Sequence, residues 1–440
     1  MIPLYAIFGL LGILMVFLRY SLWRRNYSQL MPGKRPWFFN IFGDLIEIWT
    51  AKSVPLGIME LLRKRAELFQ KEKIFCIWAA YIPFVFFVRA DVVKELLKNN
   101  KLNDKSWVYE WIQPLMGKGH ITSSYEKSKP RRKALVPCFH SDILRSFVPV
   151  FSNEAQKLVN VLQKETNKDF IDIVEPVSLC AVDITCETLF GITIDALGNK
   201  DLKSPESFSR ASKIYMSKII SPWHWIDIIF RNTKVGKEFH YNCDELQKLT
   251  RNMIEEKKKR YLRGEKATQV RKHKALMELL LDGQELSEEE IEEEMNTFAL
   301  AESSRLYPSV SLFARQVNED TKINGYTIPR GASCVVCTYY LHRDPEIYPD
   351  PEKFDPDRFL RENRINIPEY AFVPFSVGPR NCIGFKYAEI ESKIIVTQIV
   401  RNFTVSSLDE RDKIKLMLTP TLNPHIPVRI RMRSRLDQSY

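Results

Sequence analysis

The stretch VPFSVGPRNCIGF, Val373 to Phe385, sets one cysteine between two glycines and two residues after an arginine. Beyond it Ile383, Tyr387, Ile390, Ile394 and Ile399 recur at helical spacing, which predicts a helix opened by Cys382. The first amides of a helix are unpaired and its N-terminal dipole end is positive, so a thiolate is favoured there. Gly378 permits a tight turn that a side chain would block, and Gly384 leaves room for a flat group against the helix. Arg380 offers a partner to a carboxylate on that group, and Phe375 shields the sulfur. An inert buried thiol is the ordinary fate of a single cysteine, but five residue types at fixed spacing favour the alternative. A thiolate, a flat partner and an anion clamp together point to haem iron with a cysteine axial ligand.

Around this segment the chain reads as mainly α with a small β-sheet region. Its 440 residues are 45% hydrophobic and 12% aromatic, enough for a substantial core. DVVKELLKNN (91–100), FSNEAQKLVNVLQKE (151–165) and CDELQKLTRNMIEEKKKRYL (243–262) carry helical apolar spacing. NGYTIPRGASCVVCTYYLH (324–342) breaks into short runs that predict a small sheet, and DPEIYPDPEKFDPDRF (344–359) predicts a non-helical connection. The eight cysteines are scattered, unlike a disulfide framework. CVVC (Cys334, Cys337) lacks a second CxxC or a nearby His pair and reads as a buried strand rather than a metal site.

The net charge of +11 is spread, with denser groups at Lys257–Arg260, Arg271–Lys274 and Arg429–Arg435 and no nucleic-acid-binding motif. That argues against a nucleic-acid partner and for a membrane surface or an acidic protein. MIPLYAIFGLLGILMVFL (1–18) is uncharged and followed by Arg19, Trp23, Arg24 and Arg25. Its length suits a membrane-spanning helix, the following charge favours a cytoplasmic bulk, and no cleavage site is present. The predicted organisation is therefore an anchor over 1–25, a stiff basic linker over 26–40 containing MPGKRP, and a single haem-binding domain over 41–440.

FSVGPRNCIG (375–384) resembles, without departure, the haem-binding signature of cytochrome P-450, the haem-thiolate monooxygenases. ESSRLYPSV (302–310), GYTIPRG (325–331), YYLHRDPEIYPDPEKFDPDRF (339–359) and SYEKSKPRRKALVPCFHSDIL (124–144) are similar to that family in the same order. They look like its animal branch that includes fatty-acid omega-hydroxylases. The resemblance implies that Glu302 and Arg305, the family's ExxR, form a buried polar lock with Arg358. ELLR at Glu60–Arg63 has the same spacing but reads as a solvated helix pair. The resemblance also implies that Arg132 and Arg315 contact haem propionates, although Ser128 stands where the family usually has tryptophan. A plain basic helix surface remains the alternative for Arg131 and Arg132.

One part of the family pattern is absent. LSEEEIEEEMNTFAL (286–300) starts the family's distal helix, with Ser287 and Glu290 as a capping box and Ile291, Met295 and Phe298 as its apolar stripe. The acid–threonine pair that relays protons to dioxygen should follow. Instead AESSRLYP (301–308) is already the ExxR segment, so several dozen residues are missing at Leu300/Ala301. Without Gly or Pro between Ser287 and Pro308, local rules predict one continuous helix there. No catalytic residue is identified on the distal side.

Two functions follow. One is a monooxygenase of the endoplasmic reticulum membrane that uses NADPH electrons from a reductase on a lipophilic substrate, a fatty acid among them. Lys386 would then help dock the reductase, SPWHWIDIIF (221–230) would line the substrate entrance, and TLNPHIPV (421–428) would reach the substrate. The other is a haem-binding membrane protein crippled by the deletion.

Overall fold

Where helical spacing lapses, β-branched and aromatic runs form strands: β1 (Ile74–Ala79), β2 (Ile82–Phe87), β3 (Ile171–Asp172), β4 (Leu312–Gln316), β5 (Thr321–Ile323), β6 (Tyr326–Ile328), β7 (Ser333–Cys337), β8 (Phe403–Ser407), β9 (Leu416–Leu418), β10 (Leu422–Pro424) and β11 (Arg429–Ser434). The computed structural model describes residues 4–51, 53–199, 204–263, 306–359, 363 and 365–435. The chain divides into two units. One comprises Met1–Trp107, Ser217–Trp225 and Ser304–Gly378; the other comprises Val108–Met216, Ile226–Ser303 and Pro379–Tyr440.

The first unit is built on the sheet β1-β2-β7-β4, with β2 and β7 parallel and the other pairs antiparallel. Every residue of β7 is buried, as a central strand requires. Burial pushes the thiol of Cys337 up to about 12 and that of Cys334 higher still, so CVVC is core rather than a redox pair. The hairpin β5–β6 turns at Asn324 and Gly325, both at positive φ, the conformation that Asn-Gly turns supply. Helix Ala90–Lys98 buries Val92, Val93, Leu96 and Leu97 and exposes Asp91, Glu95 and Lys98, the amphipathic division its spacing predicted. Residues 344–355 run as turns before a short helical turn at Pro356–Phe359, as Pro-rich sequence dictates.

The N-terminal helix of this unit runs from Leu4 to Leu30, past the predicted end of the anchor. The segment read as a linker is held against the sheet: the Cys76 amide donates to the Pro32 carbonyl at 2.7 Å, and Gly33 bridges Cys76. Glu60 and Arg63 pair at 2.8 Å with about half of each side chain exposed, the solvated pair expected there.

In the second unit, helix Phe385–Asn402 lies against helix Ser141–Glu165. Tyr387 is the contact point, edge-on to Phe147 and Phe151, with its hydroxyl 2.7 Å from Thr188 Oγ1. The buried face is centred on Tyr387, Glu391 and Ile395, while Ile390, Ile394 and Ile399 flank it. The sheet β3-β11-β8 closes one side. In β11, Ile430, Met432 and Ser434 are buried and Arg429, Arg431 and Arg433 exposed, so that basic cluster is the outer face of one strand. Helix Lys234–Leu262 contains the predicted 243–262 segment.

The helix predicted from Ser287, its capping pair and stripe, and the lock residues Glu302 and Arg305 lie outside the described residues.

Candidate functional site

The chain reaches Cys382 through two short turns. Ser376 (φ 59°) and Gly378 (φ 82°) both adopt left-handed backbone, and residues Gly378–Arg380 form a helical turn. A Cβ on Gly378 would come no nearer than 3.7 Å to its closest neighbour, the Leu97 carbonyl oxygen. The glycine is therefore required by its φ and not, as expected from sequence, by lack of space.

The helix begins at Phe385, with Gly384 as its N-cap, so Cys382 lies in the entering turn rather than on the helix itself. The glycine at 384, a poor helix former, accounts for the later start. Of the eight cysteines, seven are buried and Cys382 is half-buried. Desolvation raises the thiols of Cys76, Cys186, Cys243, Cys334 and Cys337, with Cys186 and Cys243 pushed up to about 12. Cys382 is thus the one thiol placed to meet a partner from outside the core. Beside it, a Cβ on Gly384 would sit 4.0 Å from Cys382 Sγ and 3.6 Å from the Phe139 ring, filling the space next to the sulfur without a clash.

Two arginines brace this turn within the second unit. Arg132, half-buried on helix Tyr125–Leu135, donates from Nη1 to the Asn381 carbonyl and from Nη2 to Asn381 Oδ1, each at 2.5 Å. The guanidinium fork therefore fixes both backbone and side chain of the residue before Cys382. Arg380, 6% exposed, donates from Nη2 to the carbonyls of His120 at 3.1 Å and Ser123 at 2.8 Å. Arg131 is 2% exposed and donates to the Lys118 carbonyl at 2.8 Å, so the alternative of a solvated basic surface fails for it. Ser128 is wholly buried on the same helix, and its Oγ has no hydrogen-bond partner among the described residues.

Phe375, Arg315 and Arg358 belong to the first unit, whereas Lys386 and residues 421–428 belong to the second. Phe375 is half-buried in the turn before Ser376. Arg315, on β4, is 2% exposed, with its guanidinium 5.2 Å from the Phe313 ring centre. Arg358 donates from Nη2 to the carbonyls of Pro349 and Asp350, and its Nε is buried without a partner among the described residues. Its Nη2 also lies 4.0 Å from Asp355 Oδ2. Lys386 is exposed, as a docking residue must be. In 221–230, Phe230 is 1% exposed whereas Trp223, Ile226, Ile228 and Ile229 are open to solvent, so the segment is part core and part apolar surface. Leu422–Pro424 of TLNPHIPV pairs with β9 as β10.

Sequence reading missed Asn381, Phe139 and the carbonyls of His120 and Ser123. Asn381 carried a signal, a polar side chain directly before the key cysteine; the carbonyls carried none. The donor set fits a haem: an accessible soft sulfur, an open face at Gly384 and nearby guanidinium groups.

A family model described as Cytochrome P450 matches residues 35–301 and again 297–431, two segments that meet at the Leu300/Ala301 junction. Among curated proteins, the chain is similar to Cytochrome P450 4V2 of Rattus norvegicus, 32% identical, with 84% of each chain covered. It is 32% identical to Cytochrome P450 4V2 of Homo sapiens over 82% of each chain. It is 28% identical to Cytochrome P450 4c3 of Drosophila melanogaster over 97% of this chain and 94% of the other. The alignment with the rat protein runs over 443 residues, whereas 84% of 440 is about 370, so about 70 aligned positions have no residue in this chain.

Proposed function

Because the chain belongs to the cytochrome P450 family, we propose that Cys382 would hold its haem iron as a thiolate and that the second unit's Arg132–Asn381 clamp sets the position of that sulfur. Membership in the family brings a thiolate-ligated haem, monooxygenation of a lipophilic substrate and an electron-donating redox partner. When bound, the haem supplies the activation of dioxygen from which one oxygen atom enters the substrate.

The chain's own residues have narrower tasks. Cys382 would hold the haem iron through its sulfur, in a turn whose backbone Arg132 fixes, and Gly384 keeps the space beside the sulfur open. Arg380 and Arg132 bring two guanidinium groups beside the Cys382 turn and would pair with the carboxylates of a flat anionic ligand. Lys386, exposed at the start of the following helix, meets an acidic reductase that carries NADPH electrons. The substrate is a fatty acid or similar lipid, reached from the endoplasmic reticulum membrane through the apolar 221–230 segment. The single observation that carries the thiolate assignment is the half-buried Cys382 among seven buried cysteines.

A second reading is favoured by the two-part family match and the unmatched positions of the relatives. Without the acid–threonine pair, the chain binds haem but delivers no protons to dioxygen, and it does not turn over. A carbon-monoxide difference spectrum of the reduced protein tests the thiolate: a thiolate-type band that Cys382→Ser abolishes is expected, and its absence from the unaltered chain overturns the assignment. Product formation with reductase, NADPH and a fatty acid separates the two readings. Steady, NADPH-dependent hydroxylation refutes the crippled form, and haem-loaded protein without product refutes the active one.

A further inference from the structure

We propose that the N-terminal helix is a rigid mast, clamped to the first unit by Arg24, and that it holds an aromatic collar, Trp37 to Phe39, in the headgroup layer of a phospholipid bilayer. The inference rests on the reading of the helix as a membrane anchor and adds how the attached unit meets the lipid.

The clamp follows from which residues of helix Leu4–Leu30 are buried. Ser21, Arg24 and Ser28 are at most 6% exposed, at helical spacing, and Met31 continues the series at 5%. Arg24 donates from Nη1 to the Ala80 carbonyl at 2.9 Å and lies 4.6 Å from the Tyr81 ring centre. Ser21 Oγ is 3.2 Å from the Tyr81 hydroxyl, and Tyr27 donates to Asp320 Oδ2 at 2.9 Å. Trp23 stands edge-on to Trp78, with centroids 5.8 Å apart. A flexible tether would make none of these contacts, and Arg24 could leave them only by breaking a buried guanidinium bond.

The collar follows from the layer just above the clamp. Phe17, inside the apolar run, is stacked on Phe39 and edge-on to Phe38, each at 6.3 Å. Phe39 in turn packs on Trp37 at 5.0 Å. From Leu4 to Phe17 the helix rises about 20 Å, less than a hydrocarbon core of roughly 30 Å. Arg19 directly follows the apolar run, so Phe17 lies at the charged edge of the span and what touches Phe17 lies at that edge. Trp37 and Phe39 are 71% and 57% exposed, a poor arrangement in water and the preferred one at a lipid interface. Ile41, 42% exposed, continues the same apolar surface.

The test uses the full chain in phosphatidylcholine vesicles, with bromines placed near the headgroup end of the acyl chains in one set and near the methyl end in another. Quenching of tryptophan emission is compared between the unaltered chain and Trp37→Phe. A component quenched by the shallow bromines and missing from Trp37→Phe is expected; equal quenching in the two chains overturns the collar. Arg24→Ala should lose the same component while the protein still resists carbonate extraction. Retention of that component in Arg24→Ala overturns the clamp. Asp320→Asn, which only weakens the clamp, guards against a folding failure, and a reduced component is expected there, an unchanged one counting against the clamp. Carbonate extraction of the unaltered chain reports separately on the anchor: a chain that washes off refutes the anchor reading itself, whereas one retained with Trp37 unquenched refutes only the mast.

Discussion

Arg132 and Asn381 form a two-pronged clamp whose energetics can be dissected by a double-mutant cycle. Asn381→Ala deletes the bond to Oδ1 and keeps the bond to the carbonyl; Arg132→Met deletes both. A hydrogen bond to a charged group contributes about 1.5–3 kcal/mol, and the lower end applies to a half-buried arginine. Asn381→Ala is then expected to destabilise the Cys382 turn by about 1.5 kcal/mol and Arg132→Met by about 3 kcal/mol. In the double variant the Oδ1 bond is already gone, so the loss stays near 3 kcal/mol instead of summing to about 4.5, a coupling of about 1.5 kcal/mol. Local opening is read by amide hydrogen exchange of the peptide that spans Cys382. The coupling corresponds to about a tenfold smaller rise in the opening constant than additivity requires. Strictly additive losses, or an Arg132→Met change below about 0.5 kcal/mol, would refute the clamp, because a change that small is what a surface substitution away from any structural feature gives.

Three further outcomes follow from single features. Alkylation of the native protein with iodoacetamide near neutral pH should modify Cys382 first, since the other seven thiols are buried away from the reagent, and mass spectrometry of the labelled peptide checks it. Gly384→Ala should leave thermal stability within about 1 kcal/mol, because the added methyl meets only ordinary contacts. The same change should lower haem uptake several-fold, so unchanged uptake would count against the open face. Arg429 beside Asp409 holds that carboxyl below its usual range. The stability this lends β11 is complete above the ordinary carboxylate pKa and is lost as pH falls through the depressed value. Arg429→Gln should move the loss of hydrogen-exchange protection in residues 429–434 to higher pH.

Helices and strands with a clean period were legible in the sequence. The spacing of Val92, Val93, Leu96 and Leu97 predicted one helix face, and the β-branched filling of CVVC predicted a wholly buried strand. The cysteine turn was legible because each of its residues has a distinct chemical task. What sequence reasoning misplaced depends on long-range contacts. Arg131 and Arg132 are neighbours of the same type, yet one is buried on the Lys118 carbonyl and the other reaches Asn381, a distinction no local pattern encodes. The demand at Gly378 was located correctly but assigned to space, when the backbone angle imposes it. The helix end at Leu30 escaped notice because Arg24 and Arg25 read alike as flanking charge, and only the Ala80 carbonyl tells them apart.

That same helix end bears on how a soluble form should be made. Cutting at the conventional place, after the apolar run and its basic flank, would discard Ser21, Trp23 and Arg24 along with the lipid-facing residues. The cut surface would expose Trp78, now 1% exposed, leave Tyr81 without its stacked cation, and strip the Ala80 carbonyl of its donor. The first unit would then carry a fresh apolar scar next to β1 and would aggregate for reasons unrelated to its chemistry. A truncation that begins at Tyr20 removes the greasy segment and keeps the plug in its socket.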